Sequence, residues 1–510
     1  MKTTTSKVGF FLLVVLIGLS VSIFAIMRMN PPVLVNGEVG IVGGIQLRFR
    51  EEMQTDSIDE RLVITPGQEY QLKWAGKELT IWPATIWQTD SNITVFLQAG
   101  GASTIGRKIN RDVTFQVSVR EENFLFLTTN SEVTEIWKSA PSGETSGKIV
   151  KKSRIVEASG SFDGEWIVYG EENEMGGVDL WIVDREGKQP RLIVECGRSV
   201  CSEFSWQPYE HRIAYSLYRS GPQGIPHVWS VDTTTGEKDP FFEEESSIGQ
   251  FPRFSPDGDY LSLFNPELGG IYLQNLETGI SGIIQTVIPQ QAVWSPDGKG
   301  IYFLRSIELE GQPVDKIYKF DLEKEEISLA LGFEDDLYSY GKPAWLPDGS
   351  MIAVPIRQID GGLSSQIWLF TAEGELVREL TSDPVYTHGG LAWSNDGKYL
   401  LIQRLAVDSS DRELEILIWD VELEKILRRR VGDVGVDGVQ VHEEALVPVL
   451  GDPLAGAGAD QGHDGGAAAA PESSAPGADR SDDDAVRHIL QAGLVPHAFL
   501  DARHLCGRSP

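Results

Sequence analysis

The chain has 510 residues, with 44 Lys and Arg against 75 Asp and Glu, a formal net charge of −31 and three cysteines. That length exceeds one ordinary core and predicts about two to four domains. The negative field repels phosphate backbones and excludes nucleic acid as a partner, and three cysteines are too few for a disulfide scaffold.

Val8 to Met27 is a 20-residue apolar run without a charge, long enough to cross the hydrocarbon core as a helix. Lys2 and Lys7 precede it and Arg28 follows, a bias that favours a cytoplasmic N-terminus and an exported remainder. Residues 1–30 are therefore expected to form a signal anchor or transmembrane helix. A cleavable signal peptide is the alternative, since Ile23-Phe-Ala25 is an imperfect small-x-small site. No Cys follows to carry a lipid.

Residues 31–120 show alternation and turn signals but no helical period. Ile45–Phe49, Arg61–Ile64, Leu79–Trp82, Thr94–Leu97 and Val113–Ser118 are predicted strands of one β-sandwich. Their order, with Leu47-Arg-Phe-Arg-Glu-Glu-Met53 near the start and the Trp82-Pro83 step, resembles the bacterial Ig-like domain of surface-layer type. The resemblance implies a spacer.

Over residues 121–441 an aliphatic-aromatic doublet recurs every 43 to 51 residues: Ile136-Trp137, Leu180-Trp181, Val228-Trp229, Ile271-Tyr272, Ile317-Tyr318, Ile367-Trp368 and Ile418-Trp419. Neighbours on a strand point to opposite faces, so each doublet needs apolar cover on both sides. Sheets stacked between similar sheets supply it, which is the arrangement of propeller blades. Upstream of six doublets lies a turn signal: Ser161-Phe-Asp-Gly164, Trp206-Gln-Pro-Tyr-Glu210, Phe254-Ser-Pro-Asp-Gly258, Trp294-Ser-Pro-Asp-Gly298, Trp345-Leu-Pro-Asp-Gly349 and Trp393-Ser-Asn-Asp-Gly397. Pro fixes φ, Asp bonds the turn backbone and Gly accepts positive φ.

These turns and doublets resemble the WD-like repeat of TolB periplasmic proteins, shared by propellers of prolyl oligopeptidase-like and tricorn peptidases. The resemblance implies a seven-bladed β-propeller. It leaves function open, because propellers host many activities. Blade one shows only three strands, Phe124–Leu127, Glu135–Lys138 and Lys148–Lys151, and Val434–Val441 is predicted to supply the fourth and close the ring. The fold expected is thus all-β, a propeller preceded by an Ig-like β-sandwich and a transmembrane helix.

Cys196 and Cys201 flank a predicted connection between blades, where an oxidising exterior permits a disulfide; two free thiols are the alternative. From His442 to Pro510 the chain lacks Lys, Thr, Asn, Tyr and Trp and carries five of its eight histidines. This composition predicts a disordered tail, or an out-of-frame or fused segment.

Catalytic motifs are missing from the sequence. It holds no Gly-x-Ser-x-Gly elbow, no His-Glu-x-x-His and no phosphate-cradling Gly-rich loop before a helix. The recurrent Asp residues read as turn formers, and neither a metal site nor a cofactor is expected. Arg219, Arg305, Arg357 and Arg404 fall eight to ten residues after the equivalent turn position. Near one face of the ring, these guanidinium groups could clamp a carboxylate. Alternatively they serve the fold, bonding carbonyls or pairing with acids such as Asp360, Asp408 or Asp411. The variable loops beyond these arginines are where a rigid scaffold places recognition.

The function expected from these features is a non-enzymatic, membrane-anchored, extracytoplasmic binding or scaffold protein. Its propeller would present a loop-lined face to an envelope protein, peptide or glycan. The alternative is a propeller hydrolase or lyase, or a regulatory propeller of a separately encoded peptidase.

Overall fold

The computed structural model describes residues 28–443 except 89–90, 130–132, 142–145, 220–223, 243–247, 310–311, 332–336, 340, 359–361, 408–413 and 431–438. The first unit consists mainly of two four-stranded sheets. One is ordered Val33–Leu34, Ile45–Arg48, Glu78–Pro83, Tyr70–Ala75; the other is Glu38–Val39, Val113–Val119, Asn92–Leu97, Leu62–Thr65. Buried and exposed residues alternate along Leu62–Thr65, as they must when one face meets a core. Inward residues of both sheets, including Leu47, Ile81, Val95 and Val117, form a single apolar cluster, so the sheets pack face to face. At its edge Trp87 is fully buried and donates its indole N–H to the Gly43 carbonyl at 2.7 Å.

The transmembrane expectation needs correction. Among the described residues no helix is long and apolar enough to cross a membrane, and the motivating run, 8–27, lies outside them. Immediately after that run, Arg28–Met29 is already extended and pairs with Lys108–Ile109. Met29 is buried in the sandwich core.

From Phe124 onward the described chain forms seven antiparallel blades of four strands. Blade two, for example, runs Ile155–Gly160, Trp166–Glu172, Val178–Asp184, Arg191–Val194 from the inside outward. A single parallel bridge, Val178 to Val200, links blades two and three. In blade six the innermost strand is split into Leu337–Ser339 and Ala344–Trp345, both paired with Met351–Gln358.

The doublets explain why these sheets stack. Leu180 lies in the core between blades two and three, whereas Trp181 packs into the core between blades one and two. Val228 and Trp229 divide in the same way between the cores that flank blade three, as do Ile317 and Tyr318 around blade five and Ile367 and Trp368 around blade six. From blade two to blade seven, the aliphatic member faces the following blade and the aromatic member the preceding one. Ile418 completes the circuit, meeting Phe124 of blade one in the core between blades seven and one.

Closure is also made through the backbone. Val439–Glu443 pairs antiparallel with Phe124–Thr129, with Phe126 opposite Val441, and forms the innermost strand of blade one. It lies slightly later than the expected 434–441 segment, of which 434–438 falls outside the described residues. Residues 444–510 of the tail lie outside them too.

The Asp-Gly turns are built as their chemistry requires. Asp163, Asp257, Asp297, Asp348 and Asp396 each accept the amide N–H two residues ahead, at 2.8 to 3.1 Å. The glycine after each has φ between 68° and 81°. Indoles then tie blade to blade: Trp294 donates to Ser262 Oγ at 3.2 Å and Trp393 to the Ala344 carbonyl at 3.1 Å.

The sandwich rests on the first turns of blades two and three. Trp82 meets Phe162 at 5.7 Å and Tyr209 at 5.1 Å between ring centroids, and those two meet each other at 4.5 Å. Arg120, in the linker, donates to Glu165 at 2.7 Å, and Lys73 to Glu210 at 2.6 Å. This joint combines an aromatic contact with two ion pairs and fixes the sandwich to one side of the ring.

Candidate functional site

In a propeller, the innermost strands face the common axis, and here four of six equivalent positions at one level are polar. Counting back three residues from Gly160 or from the aromatic that opens each later turn gives Glu157, Glu203, Phe251, Gln291, Lys342 and Gly390 in blades two to seven. The ladders are irregular at this level. Register shifts fall between Ile155 and Glu157, Ser202 and Ser205, Gln250 and Arg253, and Gly389 and Leu391. Glu203 and Phe251 take φ of 55° and 58°, values side chains seldom adopt. A bulge of this kind turns an amide out of its own ladder.

The freed amides are met by glutamates of the preceding blade. The Glu203 N–H donates to Glu157 Oε2 at 2.8 Å, and the Phe251 N–H donates to Glu203 Oε2 at 3.0 Å. The Tyr218 hydroxyl donates to Glu203 Oε1 at 2.7 Å and sits 3.0 Å from Gln250 Oε1. One step further round, Gln291 Nε2 donates to the Pro252 carbonyl at 3.3 Å.

Burial raises both carboxyls. Glu157 is pushed up to about 8: surrounding protein strips its hydration and the Glu203 charge adds to the effect, against the Glu203 amide and the Lys342 ammonium, which pull it down. Glu203 is also raised by burial, opposed by the Tyr218 and Ser216 hydroxyls, the Phe251 amide and Lys342. Burial and the adjacent glutamates push the Tyr218 phenol up. At neutral pH, Glu157 is therefore mostly a protonated carboxyl that can both donate and accept. Such perturbed pairs mark candidate functional sites.

The sequence-predicted arginines lie at or near the ends of the second strands of four blades, three, five, six and seven. Arg219 is exposed at the end of Arg212–Tyr218. Arg305 is exposed and stands over the Tyr318 ring at 5.6 Å, and Arg357 donates to the Leu363 carbonyl of its own loop at 2.7 Å. Arg404 is buried, paired with Glu415 through Nε and Nη2 and stacked on Tyr386 at 3.8 Å. Beside it, buried His388 has Nδ1 2.9 Å from the Ser365 carbonyl; burial lowers its pKa. Asp360, Asp408 and Asp411 lie outside the described residues. Cys196 and Cys201 are joined as a disulfide. Among the described residues no group of three or more His, Cys, Asp or Glu could hold a metal ion.

Sequence reasoning passed over Glu157 and Glu203, which belong to no motif. Their signal was positional, a carboxylate three residues before a turn in a strand otherwise committed to the core.

No family model matches the chain. It is similar to the uncharacterized peptidase YuxL of Bacillus subtilis (strain 168), 29% identical over 191 residues, which cover 36% of this chain and 26% of that protein. It is also similar to dipeptidyl-peptidase 5 of Porphyromonas gingivalis, 26% identical over 123 residues, or 21% of this chain and 18% of that protein. The chain thus spans about a quarter or less of the length of these curated relatives. Among solved structures it is similar to TolB from Acinetobacter baumannii, with a TM-score of 0.38, 13% identity, and 62% of this chain and 78% of that one covered. The propeller assignment rests on the chain's own sheet order and blade cores. The non-enzymatic expectation is corrected by the two relatives, both named as peptidases.

Proposed function

We propose that this chain is the propeller of a peptidase, admitting and orienting peptide for a hydrolytic site. The observation that carries this reading is the 29% identity over 191 residues with a relative named as a peptidase. A polar axis adds chemical support. Glu157, Glu203, Gln291 and Lys342 offer donors and acceptors suited to peptide main chain and termini, on a rigid ring. Since the sequence holds no Gly-x-Ser-x-Gly elbow, the nucleophile is assigned to a domain outside these residues, on the same polypeptide or another. The sandwich, in this reading, is an Ig-like spacer of surface-layer type, supported by its two packed four-stranded sheets. An extracytoplasmic setting is supported by the Cys196–Cys201 bond, since disulfides persist in oxidising compartments.

Fluorescence anisotropy on the full chain tests this, using labelled octapeptides of varied sequence and a labelled oligogalacturonide as control. Saturable peptide binding without binding of the sugar acid is expected. Binding of the sugar acid alone, or of neither, would overturn the peptide reading.

A further inference from the structure

The seams between innermost strands are not chemically alike. Between blades four and five the link at this level is the amide of Gln291, which does not titrate. From blade two to blade three and from three to four, the link is a glutamate holding a main-chain amide of the next blade. The two donors, Glu203 and Phe251, are held at positive φ. Each N–H points away from its own ladder, toward a glutamate; the Phe251 N–H also reaches Ser216 Oγ at 3.2 Å.

We propose that the inner seam joining blades two, three and four is a proton-controlled latch, closed while Glu157 carries a proton and loosened when both glutamates are ionised. The groups facing it come from several elements. Glu203 lies on the adjacent innermost strand and Tyr218 on the second strand of blade three. Lys342, in the broken innermost strand of blade six, acts on both carboxyls. The closing strand of blade one packs against Ile155–Gly160 and carries His442 and Glu443, whose side chains are outside the described residues. Two adjacent carboxylates at the axis repel, and Lys342 is shared between them.

The sign follows from linkage. A seam that opens to water returns Glu157 to its ordinary value of 4.5, against about 8 when closed. Closed seam therefore binds the proton that open seam releases. The stabilisation is complete below about 4.5, is lost progressively as pH rises, and is gone above about 8. Elsewhere in the ring, the seam between blades four and five gains no such dependence from its Gln291 link. At the start of the same innermost strand, Val200–Trp206, the Cys196–Cys201 bond and the Val178–Val200 bridge also hold blades two and three together. Loosening is thus a local change at a junction that stays joined.

Hydrogen exchange on the full chain, corrected for intrinsic rates, reads the latch directly. In segments containing the Glu203 and Phe251 amides, protection is expected to fall about tenfold per pH unit from roughly pH 5 to 8 and then level off. Segments of blades five to seven should stay flat. Glu157→Gln keeps an acceptor but removes one of the two titrating carboxyls, and should shrink the slope to what Glu203 alone contributes. Lys342→Met, which removes the opposing cation, should carry the fall beyond pH 8. Infrared spectroscopy of the wild-type chain gives a readout that needs no variant: a protonated carboxyl band at pH 7 that disappears above about pH 8. Uniform protection across pH, an equal fall in every blade, an unchanged slope in Glu157→Gln, or no such band would each overturn the proposal.

Discussion

Ile367→Ala probes the physical basis of the ring. Ile367 is fully buried in the core between blades six and seven, with Leu369, Leu391, Trp393 and Leu417. Its N–H donates to Thr381 Oγ1 at 2.9 Å, so the backbone has little freedom to collapse into the space. Removing three carbons at about 0.8 kcal/mol each costs about 2.4 kcal/mol, and the residual cavity raises the expected loss to about 3 to 4 kcal/mol. Ile367→Val should cost about 1 kcal/mol. The neighbouring Trp368 packs into the other core, between blades five and six. Ile367→Ala and Trp368→Ala should therefore add to within about 0.5 kcal/mol, whereas Ile367→Ala with Leu391→Ala, in one core, should couple by more than about 0.5 kcal/mol. Urea denaturation followed by far-ultraviolet circular dichroism measures all of these. A loss below about 1 kcal/mol for Ile367→Ala, or strong coupling to Trp368 without coupling to Leu391, would refute the two-sided stacking of blades.

Replacing Trp393 by Phe removes the indole bond to the Ala344 carbonyl and should cost about 1 to 2 kcal/mol in the same assay. Opening the Cys196–Cys201 loop by Cys196→Ser with Cys201→Ser should cost about 2 kcal/mol, and adding reductant to the wild-type chain should reproduce the shift. Tyr209→Ala strips the ring that Trp82 and Phe162 share and should speed limited proteolysis near Arg120; an unchanged cleavage rate would count against a fixed joint. At Asp297, burial acts upward, but the Ser295 hydroxyl, the Lys299 amide and the ammonium groups of Lys319 and Lys299 together hold the carboxyl low. The stability this contributes is present above about pH 4 and is lost as pH falls through the depressed value. Asp297→Asn should therefore destabilise the chain at neutral pH and flatten the acid limb of its stability profile.

The propeller was legible because its stacking needs recur in the sequence. Each blade interior must be covered on both faces, and that demand writes an apolar doublet such as Ile317-Tyr318 on the third strand of each blade. The sandwich was less legible. Five strands stood out, and Tyr70–Ala75 did not, although Tyr70, Leu72 and Trp74 alternate with Gln71, Lys73 and Ala75; its inward residues are only half-buried, so its apolar face is weak. Hydropathy over 20 residues reports a solvent preference and carries no information on the extended pairing that begins at Arg28; the run itself lies outside the described residues. At the site, arginines drew notice as charged residues at repeating offsets, but a buried Arg404 held by Glu415 and Tyr386 serves its own blade. Glu157 and Glu203 went unnoticed because their partners are main-chain amides freed by bulges, and a bulge leaves no fixed residue signature.

Photocrosslinking is the sharpest test of a propeller that handles peptide. A benzophenone-bearing octapeptide would be illuminated on the full chain and its attachment points mapped by mass spectrometry, with and without excess unlabelled peptide. Competed labels are expected on the innermost strands and the loops beyond the second strands, including Val200–Trp206 and the Arg305 and Arg357 strand ends. Labels confined to the outer strands or the sandwich, or labels that excess peptide does not displace, would contradict a peptide path along the axis.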